Sequence, residues 1–345
     1  MSASPLRIWL PSLRAGSGID VFAMRLAEGL ARAGHEPLLQ WFDHAYELKP
    51  WQLRKVTPPE RTDIVHAASW QGFAFKRPGI PLVVTEHQYI RHPRFLPHRG
   101  LMQMLYHRAF IDLCIERSYR AADALVAVSE HTAKAMRADI EKRVRMIHNW
   151  VDTDAFRPAA QRGRIEGRPF RLLFVGNPSR WKGADLLPGL ATELGPAFEI
   201  LCVAGLRKSF DTTAWPANMR VVERTEAKHM PTIYREADAA LVPTRYEAFG
   251  YVAVEAMACG LPVIGFDSTG TAEVCVDGET ALLAPMDDTK RLAAHARRLA
   301  ADASQVEQLG RAGRKRAVEM FGEARAIASY ESLYRQLLKE GRRDG

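Results

Sequence analysis

The 345-residue chain has only four cysteines, Cys114, Cys202, Cys259 and Cys275. They are scattered, with no spacing that suits a metal or a disulfide framework, and are read as reduced core thiols of a cytoplasmic protein. No apolar run approaches the ~18 residues of a membrane span. Residues 1–7, Met-Ser-Ala-Ser-Pro-Leu-Arg, carry no apolar core of the kind a signal peptide needs. A Gly-x-Gly-x-x-Gly fingerprint is missing, and no Gly-Lys-Ser/Thr ending marks a phosphate loop. Asp-x-Asp occurs only at Asp152-Thr-Asp154, so no metal site is expected and no cofactor is implied. Nothing resembling a helix-turn-helix, an RNA-recognition signature or a zinc finger is present, which excludes nucleic acid as a partner.

What is present is ordinary for a soluble globular protein, with 47% hydrophobic and 26% charged residues. The length implies two domains. The net charge of +8 is one-sided: residues 1–165 hold 24 Lys+Arg against 16 Asp+Glu, and residues 166–345 hold 24 against 24. Such a surplus speaks of partners rather than of fold.

Along the chain, short apolar runs alternate with helical periodicity. A strand at residues 7–10 leads through Arg14-Ala-Gly-Ser-Gly18 into a helix over 20–33, closed by Gly34. This turn reads either as a plain tight turn or as an anion-facing helix start. Strands follow at 37–42, 63–67, 81–85, 121–129 and 144–147, with 47–61 as loop. His87 stands just beyond the strand at 81–85, at the end that faces the ligand crevice in open α/β sheets. After a linker at 159–169 the alternation resumes, with strands at 170–175, 199–204, 219–222, 239–243, 262–266 and 280–283. Helices are expected at 230–237, 250–258, 289–301, 304–320 and 323–339. The fold class is therefore α/β, with two doubly wound Rossmann-like domains.

Two stretches carry the chemistry. Gly176-Asn-Pro-Ser-Arg-Trp-Lys182-Gly183 follows a strand, precedes a helix and holds two cations, which suits a diphosphate; taken alone it also suits a charged surface loop. Glu247-Ala-Phe-Gly-Tyr-Val-Ala-Val-Glu255 places Phe249, Gly250 and Tyr251 at a helix start, where backbone N–H groups lack intrahelical partners. One carboxylate lies outside that end and one within the helix. Carboxylates accept from hydroxyls, so a diphosphate flanked by two polyols, a nucleotide-sugar, fits the three groups together.

Residues 91–108 contain Arg91, Arg94, Arg99 and Arg108 with His92, His98 and His107, and no acid. Leu96, Leu101, Met102, Met104, Leu105 and Tyr106 are interleaved. The segment reads as an interfacial element meeting anionic lipid, through 91–120, or as a core helix over 100–121 with a solvated basic edge.

At these residues the chain resembles the retaining glycosyltransferases of family 4, the group 1 glycosyltransferases, whose fold is GT-B. Glu247 to Glu255 matches their Glu-x7-Glu motif. The likeness extends to Gly16-Ser-Gly18, Gly34-His-Glu36, residues 122–129, residues 149–156, Lys182-Gly183, Glu255-Ala-Met-Ala-Cys-Gly-Leu-Pro262 and Asp277-Gly-Glu-Thr280. It implies two domains facing across a cleft: an N-terminal acceptor-binding domain, 1–165, and a C-terminal donor-binding domain, 166–322. A final helix, 323–341, is expected to pack back on the first. Glu255 would accept from the donor ribose, and Glu247 would contact the transferred sugar. Phe249, Gly250 and Tyr251 would offer backbone groups to sugar and phosphate. Lys182 would pair with the diphosphate, approached also by Gly18, while His87 would contact the sugar and Asp20 the acceptor. Base contacts would lie near Arg224. Two departures stand out. Asn177 occupies the place of a usual arginine, with Arg180 the candidate for that charge, and Ser17-Gly18 replaces paired glycines.

The resemblance implies transfer of a hexosyl group, with retention, from a nucleoside diphosphate sugar to a hydroxyl; the lack of metal spacing leaves the cations to hold the diphosphate, and the basic segment points to a lipid-linked glycan or lipopolysaccharide-type acceptor. The cysteines place the protein in the cytoplasm, and the basic segment would hold it on the inner face of the cytoplasmic membrane. A GT-B-like nucleotide-sugar epimerase and a non-catalytic nucleotide-sugar binding module remain as alternatives.

Overall fold

The computed structural model describes residues 4–16, 18–98, 100–159, 167–204, 211–222 and 227–341. Arg99, Ser17, Arg224 and most of the stretch read as a linker lie outside these. The chain divides into two compact units, one of residues 1–149 and 324–345, the other of residues 150–323.

The first unit is built on a six-stranded sheet of order β2-β1-β3-β4-β5-β6. Its strands are β1 (Arg7–Leu13), β2 (Glu36–Phe42), β3 (Ile64–Ala68), β4 (Leu82–Glu86), β5 (Ala124–Ala127) and β6 (Val144–Met146). All pairings are parallel. Every residue of β4 and β5 is buried, as expected for strands covered on both faces, whereas the edge strand β2 is mostly half-exposed. The helix Gly18–Arg32 follows β1 and buries Phe22, Leu26 and Leu30. The stretch 47–61, read as loop, holds a 3-10 turn at Pro50–Lys55 that buries Pro50 and Leu53.

The C-terminal helix Glu323–Gly341 buries Ala326, Ile327, Tyr330, Leu333, Tyr334 and Leu337. It belongs to the first unit. The Tyr334 hydroxyl lies 2.7 Å from His66 Nδ1, and His66 Nε2 lies 2.7 Å from Thr85 Oγ1. The pair ties this helix to neighbouring strands β3 and β4.

The second unit repeats the plan with a sheet of order β12-β11-β10-β7-β8-β9. Its strands are β7 (Phe170–Gly176), β8 (Phe198–Ala204), β9 (Met219–Val222), β10 (Ala239–Val242), β11 (Val263–Phe266) and β12 (Ala281–Ala284). These too are parallel throughout. Phe170, Leu172, Phe174, Ile200, Leu241, Ile264 and Phe266 form its core with helices Leu187–Leu194 and Thr289–Ala301. A short helix, Thr269–Val274, was not expected. All four cysteines are free and buried, and burial pushes the Cys202 and Cys275 thiols up to about 12.

The division falls after residue 149, not after 165. The reason is packing: Val151 N–H donates to Phe321 O at 3.0 Å, and the Phe156 ring meets Tyr234 edge-on at 5.8 Å. The Arg314 guanidinium also donates to the carbonyls of Thr153, Phe156 and Ala258, at 2.7–2.9 Å.

The basic segment is helical as Leu101–Tyr106, a π turn at His107–Ile111, and Asp112–Ala121. Its cations are not one exposed face. Arg91 pairs with Asp112 at 3.1 Å and Glu116 at 3.3 Å, acids supplied by the following turns. His92 and His107 are buried, while Arg94 and Arg108 are exposed. Apolar side chains are exposed beside these arginines: Met102 is 78% exposed, Leu105 54% and Met104 44%. Among the described residues, no helix is long and apolar enough to cross a membrane.

Candidate active site

In the second sheet, β7 and β10 are neighbours at the point where strand order reverses, and the loops leaving their carboxyl ends meet there. Gly176 to Gly183 leaves β7, and residues 243–250 leave β10. Arg180–Lys182 forms a 3-10 turn, after which Gly183 adopts φ 75°. A Cβ at Gly183 would stand 2.1 Å from Pro243 O, so only glycine permits this approach. Arg245 N–H donates to Trp181 O at 2.8 Å, joining the loops again.

This brings together Lys182 and Glu247, 65 residues apart in sequence, as an ion pair. Their side chains keep 23% and 17% exposure, so the pair is screened from water yet reachable. Gly250 caps the helix Tyr251–Ala258 without a side-chain bond to the first amides. The helix starts directly after residues 243–250, so its positive dipole end adjoins that loop. Glu255 lies on this helix and accepts from the Tyr234 hydroxyl at 2.9 Å. Phe249 is buried, its ring edge-on to Tyr251 at 5.4 Å and Phe321 at 5.7 Å. Both motif carboxylates thus have protein partners, a cation for one and a phenol for the other.

Asn177 is half-buried and the Arg180 side chain is exposed. The buried cation beside them is Arg245, which was not anticipated. Its guanidinium bonds Asp185 at 2.7 and 3.1 Å, Asp287 at 2.6 Å, and the Arg180 carbonyl. With two carboxylates around it, its charge is spent within the protein and its pKa is raised, first by the bond to Asp185. Its place two residues before Glu247, with Asp185 three after Lys182, was the available signal; Asp287 had none.

Gly18, Asp20 and His87 lie in the first unit. Both Asp20 oxygens are engaged locally, accepting from Ala15 N–H and Gly16 N–H at 2.9 Å, which shapes the turn before the helix Gly18–Arg32. His87 follows β4 and meets Phe22 edge-on at 4.3 Å. Burial lowers its pKa to about 3, as it does that of His66, so both rings are neutral at physiological pH. The buried Glu86 beside it accepts from Tyr119 OH at 2.5 Å and Gln88 N–H at 2.9 Å, and burial raises its pKa. Among the described residues, no three His, Cys, Asp or Glu side chains converge as a metal site would.

Two doubly wound parallel sheets are the architecture of GT-B glycosyltransferases. A family model described as glycosyl transferases group 1 matches residues 157–316, and one described as Glycosyltransferase Family 4 matches residues 37–155. The two matches together run through most of residues 37–316 and support a GT-B group 1 glycosyltransferase. It is 28% identical to the alpha-maltose-1-phosphate synthase of Mycolicibacterium smegmatis, over 94% of this chain and 92% of that protein. Among solved structures, the sucrose-phosphate synthase of Thermosynechococcus elongatus superposes with a TM-score of 0.80 at 20% identity, covering 97% of this chain and 100% of that one. Anabaena HepE in complex with UDP-glucose gives 0.75 at 17% identity, covering 95% and 99%.

Proposed function

We propose that the protein transfers a hexosyl group, with retention of anomeric configuration and without a metal, from a nucleoside diphosphate sugar to an acceptor hydroxyl. The observation that carries this is the Lys182–Glu247 pair on the loop that leads into helix Tyr251–Ala258, whose N-cap, Gly250, brings no side chain to it. A diphosphate there meets backbone N–H groups and competes with Glu247 for the Lys182 ammonium. Glu247, released, accepts from a hydroxyl of the transferred sugar. Glu255 accepts from the ribose while Tyr234 holds it in place. Tyr251 offers a main-chain contact.

In the reaction the bond from the anomeric carbon to the diphosphate oxygen breaks, and a bond from that carbon to the acceptor oxygen forms on the same face. The acceptor proton passes to the departing phosphate oxygen. Lys182 and the helix amides stabilise the charge that develops there, and orientation supplies the remainder.

For the acceptor we propose a lipid-linked glycan or lipopolysaccharide-type molecule, with the protein peripheral on the cytoplasmic membrane face. Exposed Met102, Met104 and Leu105, on a segment that also exposes Arg94 and Arg108, favour this. A free sugar phosphate is the second reading, favoured by the names of two similar proteins, alpha-maltose-1-phosphate synthase and sucrose-phosphate synthase.

Thermal-shift screening of UDP-, GDP- and ADP-sugars, followed by NMR of the product formed from the best binder, tests the proposal. The expected product keeps the donor's anomeric configuration and forms with chelator present. An inverted product overturns the mechanism. Donor conversion with no acceptor present points instead to an epimerase, and binding with no turnover to a binding module.

A further inference from the structure

Residues 243–250 carry no helix or strand, so the Glu247 main chain is held from outside its own loop. The holding segment is Ser268-Thr269-Gly270. Ser268 Oγ lies 2.9 Å from Thr244 O and 3.1 Å from Arg245 O. Glu247 N–H donates to Thr269 Oγ1 at 2.8 Å, and Gly270 N–H donates to Glu247 O at 2.9 Å. A Cβ at Gly270 would fall 2.6 Å from Phe249 O and 2.8 Å from Glu247 O, so the segments touch backbone to backbone. Both main-chain polar groups of Glu247 are therefore fixed by consecutive residues of one turn.

Thr269 is the odd member. Its φ is 46°, in the left-handed region, and it is only 7% exposed. A β-branched residue is strained there, and glycine or asparagine would fit with less cost. Folding by itself gives no reason for threonine at this point. The hydroxyl does: glycine would keep the turn and lose the bond to Glu247. Strain retained beside a reactive centre is the pattern expected where geometry is set for function.

We infer that Thr269 is a positioning residue for the transfer reaction, its hydroxyl fixing the Glu247 main chain so that the carboxylate faces Lys182. This rests on the reading of the Lys182–Glu247 site as a transferase centre. Thr269 touches neither donor nor acceptor and acts only through Glu247.

The test compares the wild-type enzyme with Thr269→Gly and Thr269→Ser by amide hydrogen exchange across 244–250, thermal unfolding, and kcat and KM for the donor. In Thr269→Gly the Glu247 amide should exchange about tenfold faster. Its Tm should equal or exceed that of the wild type, because the strain is relieved. Its kcat should fall about tenfold with KM within threefold, because misplacing a reacting group costs rate rather than affinity. Thr269→Ser should restore both exchange protection and kcat. Unchanged Glu247 exchange in the glycine variant, kcat within twofold of wild type, a Tm and kcat that fall together, or failure of serine to rescue would each overturn the inference. A wild-type enzyme that turns over no nucleotide sugar overturns the transferase reading, and with it the catalytic part. The exchange measurement still decides whether the clamp exists.

Discussion

Replacing Lys182 with alanine separates catalysis from folding. The pair it forms with Glu247 keeps 23% and 17% side-chain exposure. It therefore sits between an exposed pair, worth ~0–1 kcal/mol, and a fully buried one, whose disruption costs ~3–5 kcal/mol. A loss of ~1–2 kcal/mol follows. For a domain the size of residues 150–323, each kcal/mol moves Tm by about 2–4 °C, so Tm should fall by about 2–8 °C. Stabilities of ~5–15 kcal/mol leave the variant folded at assay temperature. The effect on rate is larger. A fixed group aimed at charge that develops in the transition state is worth about 10²–10³ in kcat, or ~3–4 kcal/mol. We expect kcat for nucleotide release to fall by that factor, measured by initial rates alongside a thermal scan. A kcat within threefold of wild type would refute the assignment of Lys182 to the leaving group. So would a rate loss that vanishes on cooling, since it would then reflect unfolding.

Tyr234→Phe removes the hydroxyl that Glu255 accepts at 2.9 Å. At ~1 kcal/mol per bond the donor KM should rise about fivefold with kcat within twofold, and an unchanged KM counts against a ribose role for Glu255. His66 titrates near 3 in the folded protein against 6.5 when free, so the unfolded chain binds the extra proton between those values. Its contribution to stability is complete above pH 6.5 and is lost as pH falls toward 3, by about 1.4 kcal/mol per pH unit. His66→Gln should therefore show a shallower fall of Tm between pH 7 and pH 5 than wild type, and equal slopes would refute the sign. Met102→Asp with Leu105→Asp should abolish pelleting with anionic vesicles while leaving Tm within about 2 °C, as exposed sites allow. Pelleting equal to wild type removes this face as the membrane contact.

Local pattern made much of the molecule readable from sequence. Parallel strands buried on both faces read as short continuous apolar runs, and glycine and proline mark their ends. Strands β3, β4, β7 and β10 accordingly lie within a residue or two of the sequence reading. The motif carboxylates at Glu247 and Glu255, the cation at Lys182 and the N-terminal excess of positive charge were equally legible, because each is a matter of residue type and spacing.

Only tertiary structure decided which groups meet. The order of strands places β7 beside β10, and that adjacency converts Lys182 and Glu247 into a pair. Asp287, 42 residues from Arg245, has no local pattern that marks it as a partner. Arg91, which read as a membrane-facing cation, is taken up by Asp112 and Glu116, because the following helix turns them toward it. Thr269 was invisible for a related reason: neither a left-handed backbone nor a hydroxyl aimed at a distant amide leaves a mark on residue order. The sequence determined the elements and the kinds of chemistry they carry. The close approach of backbones at Gly183 and Gly270 decided where that chemistry is assembled.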